Sequence, residues 1–277
     1  MKNLNIFSIL LLAFGFFACG TQPDHYVEID GKRQHVLTLG SGQPVVVFLA
    51  GGGCDLTDFD SVQRAISKIT KTISYDKPGL GKSELRNSPR TLDHLVDELN
   101  ILIEKEGVST VSIVLVGHSM GGDVARYFLH LYPRYIAGMI LIDPGSEYLD
   151  QETRKQKTEK QNALDDSLWS KEIETMPMGF RMEAQCYPKH DSLLKTFNIS
   201  TSIPITLLAS IKADGEDSAS KEFVDIKWNL YQKFQTKVPQ MKIISTEKSG
   251  HFIQLDEPKL VIDAITEMVR LVDAAKK

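Results

Sequence analysis

Ile113-Val114-Leu115-Val116-Gly117-His118-Ser119-Met120-Gly121-Gly122 is the stretch that decides the fold. Four consecutive apolar residues suit a strand covered on both faces, and residues 120–131 carry the apolar spacing of a helix. Strand, sharp turn and helix leave Ser119 in strained backbone dihedrals. Gly117 and Gly121, two places to either side, keep backbone and side chains from colliding there. The Ser119 hydroxyl is then expected to stand exposed at the helix N-terminus, beside N–H groups that have no intrahelical partner. A G-x-S-x-G match arises by chance in a chain this long with a probability of order 0.1. Its position after a buried strand is what gives it weight.

The flanking sequence repeats the alternation. Residues 45–49, 139–142 and 205–208 are further continuous apolar runs, residues 241–245 suit another strand, and residues 92–106 and 259–272 have helical periodicity. Strands alternating with such helices predict an α/β fold with a mostly parallel central sheet. Residues 26–29 and 34–39 alternate around Asp30-Gly31, which predicts a hairpin ahead of the parallel strands. From about 145 to 203 the chain turns polar and helical, and a cap inserted after the sixth strand is expected there. Trp169, Met176, Met178, Phe180 and Tyr187 would form its apolar underside. The plainer alternative is a solvated helical excursion without function. Neither a repeat nor a second domain is visible, so residues 20–277 read as one domain.

The 277 residues, 42% hydrophobic and 25% charged with a net charge of -4, have the balance of an ordinary globular domain. There is no basic excess to neutralise phosphates, so nucleic acid is not an expected partner. No C-x-x-C pair and no histidines at metal-site spacing occur, so no metal is expected and a small molecule is the expected ligand. Residues 1–19 hold one early lysine and an apolar run of about a dozen residues, short of the ~20 that span hydrocarbon. With Ala18-Cys19-Gly20 at its end, the segment resembles a bacterial lipoprotein signal. Export to the cell envelope, with lipidation of Cys19 as the only membrane attachment, is the expectation; ordinary secretion and an uncleaved anchor are the alternatives. Cys54 and Cys186 would then remain in an oxidising setting, either as a disulfide or as two small buried thiols.

A serine hydroxyl needs a base, distant in sequence and near in space. His251, in Lys248-Ser249-Gly250-His251-Phe252, lies on a loop between a strand and the last helix and is the candidate. His118 adjoins Ser119 but is expected to point elsewhere on so tight a turn, and His25, His35, His94, His130 and His190 read as packing or surface residues. Ala50-Gly51-Gly52-Gly53 follows the strand at 45–49, and absent side chains there let backbone N–H groups approach a ligand. The N–H groups of Gly52 and Met120 are the expected oxyanion donors. A phosphate-binding loop would need Gly-Lys-Ser/Thr after the glycines, which this loop lacks.

Four blocks together resemble the α/β-hydrolase family: Val46-Val47-Phe48-Leu49-Ala50-Gly51-Gly52, Tyr75-Asp76-Lys77-Pro78-Gly79-Leu80-Gly81-Lys82-Ser83, residues 117–122, and Ser249-Gly250-His251-Phe252-Ile253-Gln254-Leu255-Asp256-Glu257-Pro258. The resemblance covers about residues 36–272. It implies a nucleophile, acid, histidine order that Ser119 and His251 obey, and no cofactor. Many relatives have His where Ala50 stands. Most place the acid after the strand that follows the cap, which points to Asp214; a smaller group takes it from the preceding strand's end, where Ile140-Leu141-Ile142-Asp143-Pro144 offers Asp143. Asp143 is the first choice and Asp214 the alternative. The resemblance implies an esterase-like serine hydrolase working through an acyl-enzyme on Ser119. An amide, peptide or lactone hydrolase of the same fold and a non-catalytic ligand-binding lipoprotein stand as alternatives.

Overall fold

The computed structural model describes residues 23–199, 202–213 and 218–275. Cys19 and Asp214 lie outside the described residues. The strands are β1 (Asp24–Ile29), β2 (Lys32–Leu39), β3 (Val45–Leu49), β4 (Thr72–Tyr75), β5 (Ile113–His118), β6 (Ile136–Ile142), β7 (Ile205–Ser210) and β8 (Met241–Thr246). They form one sheet in the order β1-β2-β4-β3-β5-β6-β7-β8. The first two pairs in that order, β1–β2 and β2–β4, are antiparallel and all the rest parallel. This is the α/β-hydrolase architecture.

Helices α1 (Asp60–Ile66), α2 (Leu92–Lys105) and α3 (Met120–Leu131) alternate with the early strands. Four more, α4 (Leu149–Arg154), α5 (Glu159–Thr175), α6 (Met178–Ala184) and α7 (Tyr187–Leu194), lie between β6 and β7. Helix α8 (Ser218–Lys237) joins β7 to β8, and α9 (Ile253–Asp256) and α10 (Pro258–Ala274) close the chain. Among the described residues no helix is long and apolar enough to cross a membrane.

Alternate residues of β3 enter different cores. Val45, Val47 and Leu49 pack with α2 and α3 on one face, and Val46 and Phe48 pack with α1 and α10 on the other. Burial on both faces explains why this strand and β5 read as unbroken apolar runs. The hairpin forms at Asp30-Gly31, where both residues take positive φ (51° and 71°), as a two-residue turn between right-twisted strands requires. Strand β4 was not legible as a strand: Thr72-Ile73-Ser74-Tyr75 is short and half polar, and its place is set by pairing with β2 and β3. Cys54 and Cys186 are both free thiols, so the disulfide option is not realised.

The chain crosses from β3 to β4 on one side and then to β5 on the other, so a crevice opens at the strands' C-terminal ends. Two glycines let α3 start there. A Cβ on Gly121 would lie 2.0 Å from the Leu49 carbonyl oxygen, and one on Gly117 would lie 2.4 Å from that of Gly121. Both contacts are backbone, which cannot swing away. Gly121→Ala is therefore expected to cost about 3 kcal/mol or more, read as a lowered urea midpoint at unchanged slope.

Candidate active site

Ser119 joins β5 to α3 with φ 50° and ψ −122°, a conformation that strains any residue with a side chain. Its N–H donates to the Ile142 carbonyl (3.0 Å), and its own carbonyl accepts from Gly122 (2.8 Å). Asp143 steps off the end of β6 in the same way, with φ 39° and its N–H donating to the Leu208 carbonyl at 2.7 Å. His118 and Ile142 are register partners, so the two strained residues follow side by side.

The Asp143 side chain is fully buried, and donors from three later segments meet it. His251 donates Nδ1–H to Oδ2 at 2.7 Å, which leaves Nε2 as the free base. The Lys227 ammonium donates to the same oxygen at 2.8 Å. Oδ1 accepts the Ser210 backbone N–H (3.0 Å) and the Tyr231 hydroxyl (3.3 Å). Burial alone would push this carboxyl up, but the His251 hydrogen bond and the Lys227 charge outweigh it and hold the group below the ordinary carboxylate value. Ser210 also donates from Oγ to the Ser249 carbonyl (2.8 Å), tying the end of β7 to the histidine loop. Ser119, Asp143 and His251 line one cavity of about 560 Å³.

Gly52 lies in the loop after β3, and Met120 is the first residue of α3. A Cβ on the adjacent Gly51 would come within 2.8 Å of His118 Nδ1 and 3.4 Å of Ser119 Cβ, so this loop packs directly on the serine turn. Lys77 holds it in place: its ammonium donates to the carbonyls of Gly51 (2.6 Å) and Cys54 (3.2 Å) and pairs with Glu183 at 3.5 Å. Glu183, on α6, in turn accepts the Gly53 N–H (2.9 Å). Sequence reasoning passed over Lys77, Glu183, Lys227 and Tyr231. Each acts across a large sequence separation, and only the four-residue spacing of Lys227 and Tyr231 on one helix was available as a signal.

His118 adjoins Ser119 and points away from it on the tight turn. It is buried and joins Asp58 (Nδ1 to Oδ2, 3.0 Å) to the His251 carbonyl, to which its Nε2–H donates (3.1 Å). Ligand atoms of Cys54, Asp58 and His118 fall within 4.8 Å of one another. Asp58 is already satisfied by His118 and by Gln254 Nε2 (2.9 Å), and burial with the nearby Asp58 charge pushes the Cys54 thiol up to about 11. Asp58 and His118 are thus hydrogen-bonded support for the histidine loop.

A second cavity of about 700 Å³ also reaches Ser119 and Met120 and runs under the cap. Asp123 lines it, buried, with its carboxyl pushed up to about 7 by burial and by the charges of Asp191 and Glu147, against the opposing charge of Arg126.

Two stability predictions follow from these carboxylates. Lys227→Met leaves Asp143 buried without its cation and is expected to cost roughly 3 kcal/mol, measured by urea unfolding at pH 7. For Asp123 the folded value lies above the ordinary carboxylate value, so the folded state binds more protons between the two and loses stability as pH rises toward 7. Asp123→Asn is expected to be more stable than wild type at pH 8, with the gap closing as pH falls to 4.

A family model described as the alpha/beta hydrolase fold matches residues 44–173. The uncharacterized protein YqjL of Bacillus subtilis (strain 168) is 26% identical over 247 residues, covering 87% of this chain and 89% of YqjL. Two other curated relatives, 30% and 32% identical, are matched over only 37% and 17% of their own lengths. Among solved structures, a thermophilic esterase from Thermogutta terrifontis superposes with a TM-score of 0.64 at 21% identity, over 90% of this chain and 98% of that one. The epoxide hydrolase CorEH gives 0.63 at 19% identity, over 88% and 97%. Sheet order, the family model over residues 44–173 and the structural neighbours agree that the chain has the α/β-hydrolase fold.

Proposed function

We propose that the chain is a serine hydrolase that cleaves an ester of a small, partly apolar substrate through an acyl-enzyme on Ser119. The observation that carries this reading is the juxtaposition in one cavity of a strained serine at a helix N-terminus and a histidine whose ring is bound to a buried carboxylate. His251 Nε2 takes the Ser119 proton as Oγ attacks the ester carbonyl. The resulting oxyanion is held by the N–H groups of Gly52 and Met120, whose dipoles need no reorganisation as charge develops. The protonated His251 then passes its proton to the leaving alkoxide, which departs as the alcohol. In the second half His251 removes a proton from water, the hydroxide adds to the acyl carbonyl, and Ser119 leaves reprotonated with the acid as product.

Asp143 orients the ring and stabilises the imidazolium. With a serine at the turn, this reading favours an acyl-enzyme over the alkyl-enzyme that an aspartate nucleophile would form. A fluorophosphonate probe followed by intact mass measurement on residues 20–277 tests it. One adduct is expected on wild type, none on Ser119→Ala, and labelling slowed at least 100-fold on Asp143→Asn, where His251 loses its orienting charge. A folded wild type that stays unlabelled at probe excess overturns the reading.

Residues 1–19 support a further part of the proposal, export as a lipoprotein with Cys19 as the acylated residue and this anchor as the sole membrane attachment. Expression of the whole chain in a bacterial host with a palmitate analogue is expected to label the protein and to shift it to the membrane fraction. Cys19→Ala is expected to abolish both.

A further inference from the structure

The glycine loop has a neighbour in the cap that the proposed chemistry leaves unused. A Cβ on Gly52 would lie 2.1 Å from the Tyr187 hydroxyl oxygen, so that hydroxyl rests directly against the Gly52 backbone. Tyr187, the first residue of α7, also lines the cavity that reaches Ser119 and Met120. One phenol thus stands beside Gly52 and in the same cavity as the serine. Phe180, Glu183 and Tyr187 follow one another at intervals of three and four residues, and all reach this loop. A Cβ on Gly53 would lie 2.8 Å from the Phe180 ring, Glu183 accepts the Gly53 N–H at 2.9 Å, and the Tyr187 ring packs on that of His190 with centres 5.9 Å apart.

What Tyr187 lacks is an acceptor. Its hydroxyl has no hydrogen-bond partner among the described residues, and the oxygen is open to the cavity rather than sealed by protein. A phenol held half-buried in one geometry ordinarily has a partner for its O–H. Burial, reinforced by the Glu183 charge, raises its pKa well above that of an ordinary phenol, so the group stays a donor at every working pH. The proposed oxyanion hole has room for it. With the Gly53 N–H spent on Glu183, the loop offers Gly52 N–H, and Met120 N–H completes a pair. An alkoxide oxygen has three lone pairs, and two amides leave one of them free.

We infer that Tyr187 is a third donor to the oxyanion, a catalytic residue supplied by the cap. Its O–H donates to the carbonyl oxygen as charge develops there and keeps its proton throughout. The inference rests on the reading of Ser119 as the acylated residue. Its consequence is a cap that takes part in the chemistry as well as shaping the pocket, because the set of donors is complete only while α7 lies on the glycine loop.

Tyr187→Phe tests this on residues 20–277, since it removes one oxygen and keeps the ring on its neighbours. Hydrolysis of p-nitrophenyl butyrate is expected to lose about 100-fold in kcat with KM nearly unchanged. Labelling by the fluorophosphonate, whose phosphoryl oxygen would occupy the same hole, is expected to slow by a similar factor. Gly52→Ala supplies a second arm. Its methyl expels the Tyr187 hydroxyl, but once that oxygen is gone the next atom, Tyr187 Cζ, is 3.3 Å away. Gly52→Ala is therefore expected to cost about as much as Tyr187→Phe, and the double variant no more than either alone. An unchanged kcat and labelling rate in Tyr187→Phe, a loss confined to KM, or losses that multiply in the double variant overturn the inference and leave the role of Ser119 standing. A folded wild type that is itself unlabelled overturns both.

Discussion

One buried carboxylate organises the C-terminal end of the sheet's central strands. Asp143 has no exposed side-chain surface, so its charge persists only because every direction around it supplies a donor. Those donors come from the end of β7, from two places on α8 and from the loop after β8, and the requirement to meet at one group brings these segments into register. Lys227 and His251 share a single oxygen. The imidazole hydrogen bond and the ammonium together favour the ionised carboxylate, which suits the orienting role proposed for it.

The strain at Ser119 and Asp143 has the same origin. Adjacent parallel strands end together, and each chain must leave the sheet at once, one into α3 and the other toward the cap. A positive φ at a non-glycine residue costs about 1–3 kcal/mol. Two such residues side by side are sustained by β5 and β6, buried almost throughout on both faces, and by sheet hydrogen bonds that continue into the turns. The glycine loop is fixed from below by Lys77 and from above by Glu183, so donors to an oxyanion would be set before a substrate arrives.

Local pattern made much of this legible. The runs at 45–49, 113–116, 139–142 and 205–208 stand out because strands buried on both faces admit little polarity, and the Ser119 turn stands out because its neighbours must be glycine. The short strand β4 and the polar helix α8 did not stand out, since pairing and a few contacts hold them rather than their own periodicity. Lys227 looks like one more lysine on a charged helix until α8 is seen to cross Asp143. His118 and Asp123 are ordinary polar residues in the chain; their surroundings depend on the order of strands in the sheet. Asp143 could be named because it ends an apolar run, while the donors that hold its charge could not.

The way the cap is fastened also bears on how molecules enter and leave. Its inner helix α6 buries Gly179, Glu183 and Ala184, and Glu183 is locked into the glycine loop with Lys77. The outer helix α5 has no buried residue and owes its form to a Thr158–Gln161 capping box and to surface pairs such as Lys157 with Asp165. A cap held firmly at one edge and only by surface pairs at the other would open asymmetrically. In the proposed enzyme, traffic would then pass the outer edge, where Arg154 bridges Asp150 and Asp166, while the glycine loop keeps its shape. Residues on that outer edge would set the rate of product escape without altering the bond-breaking step.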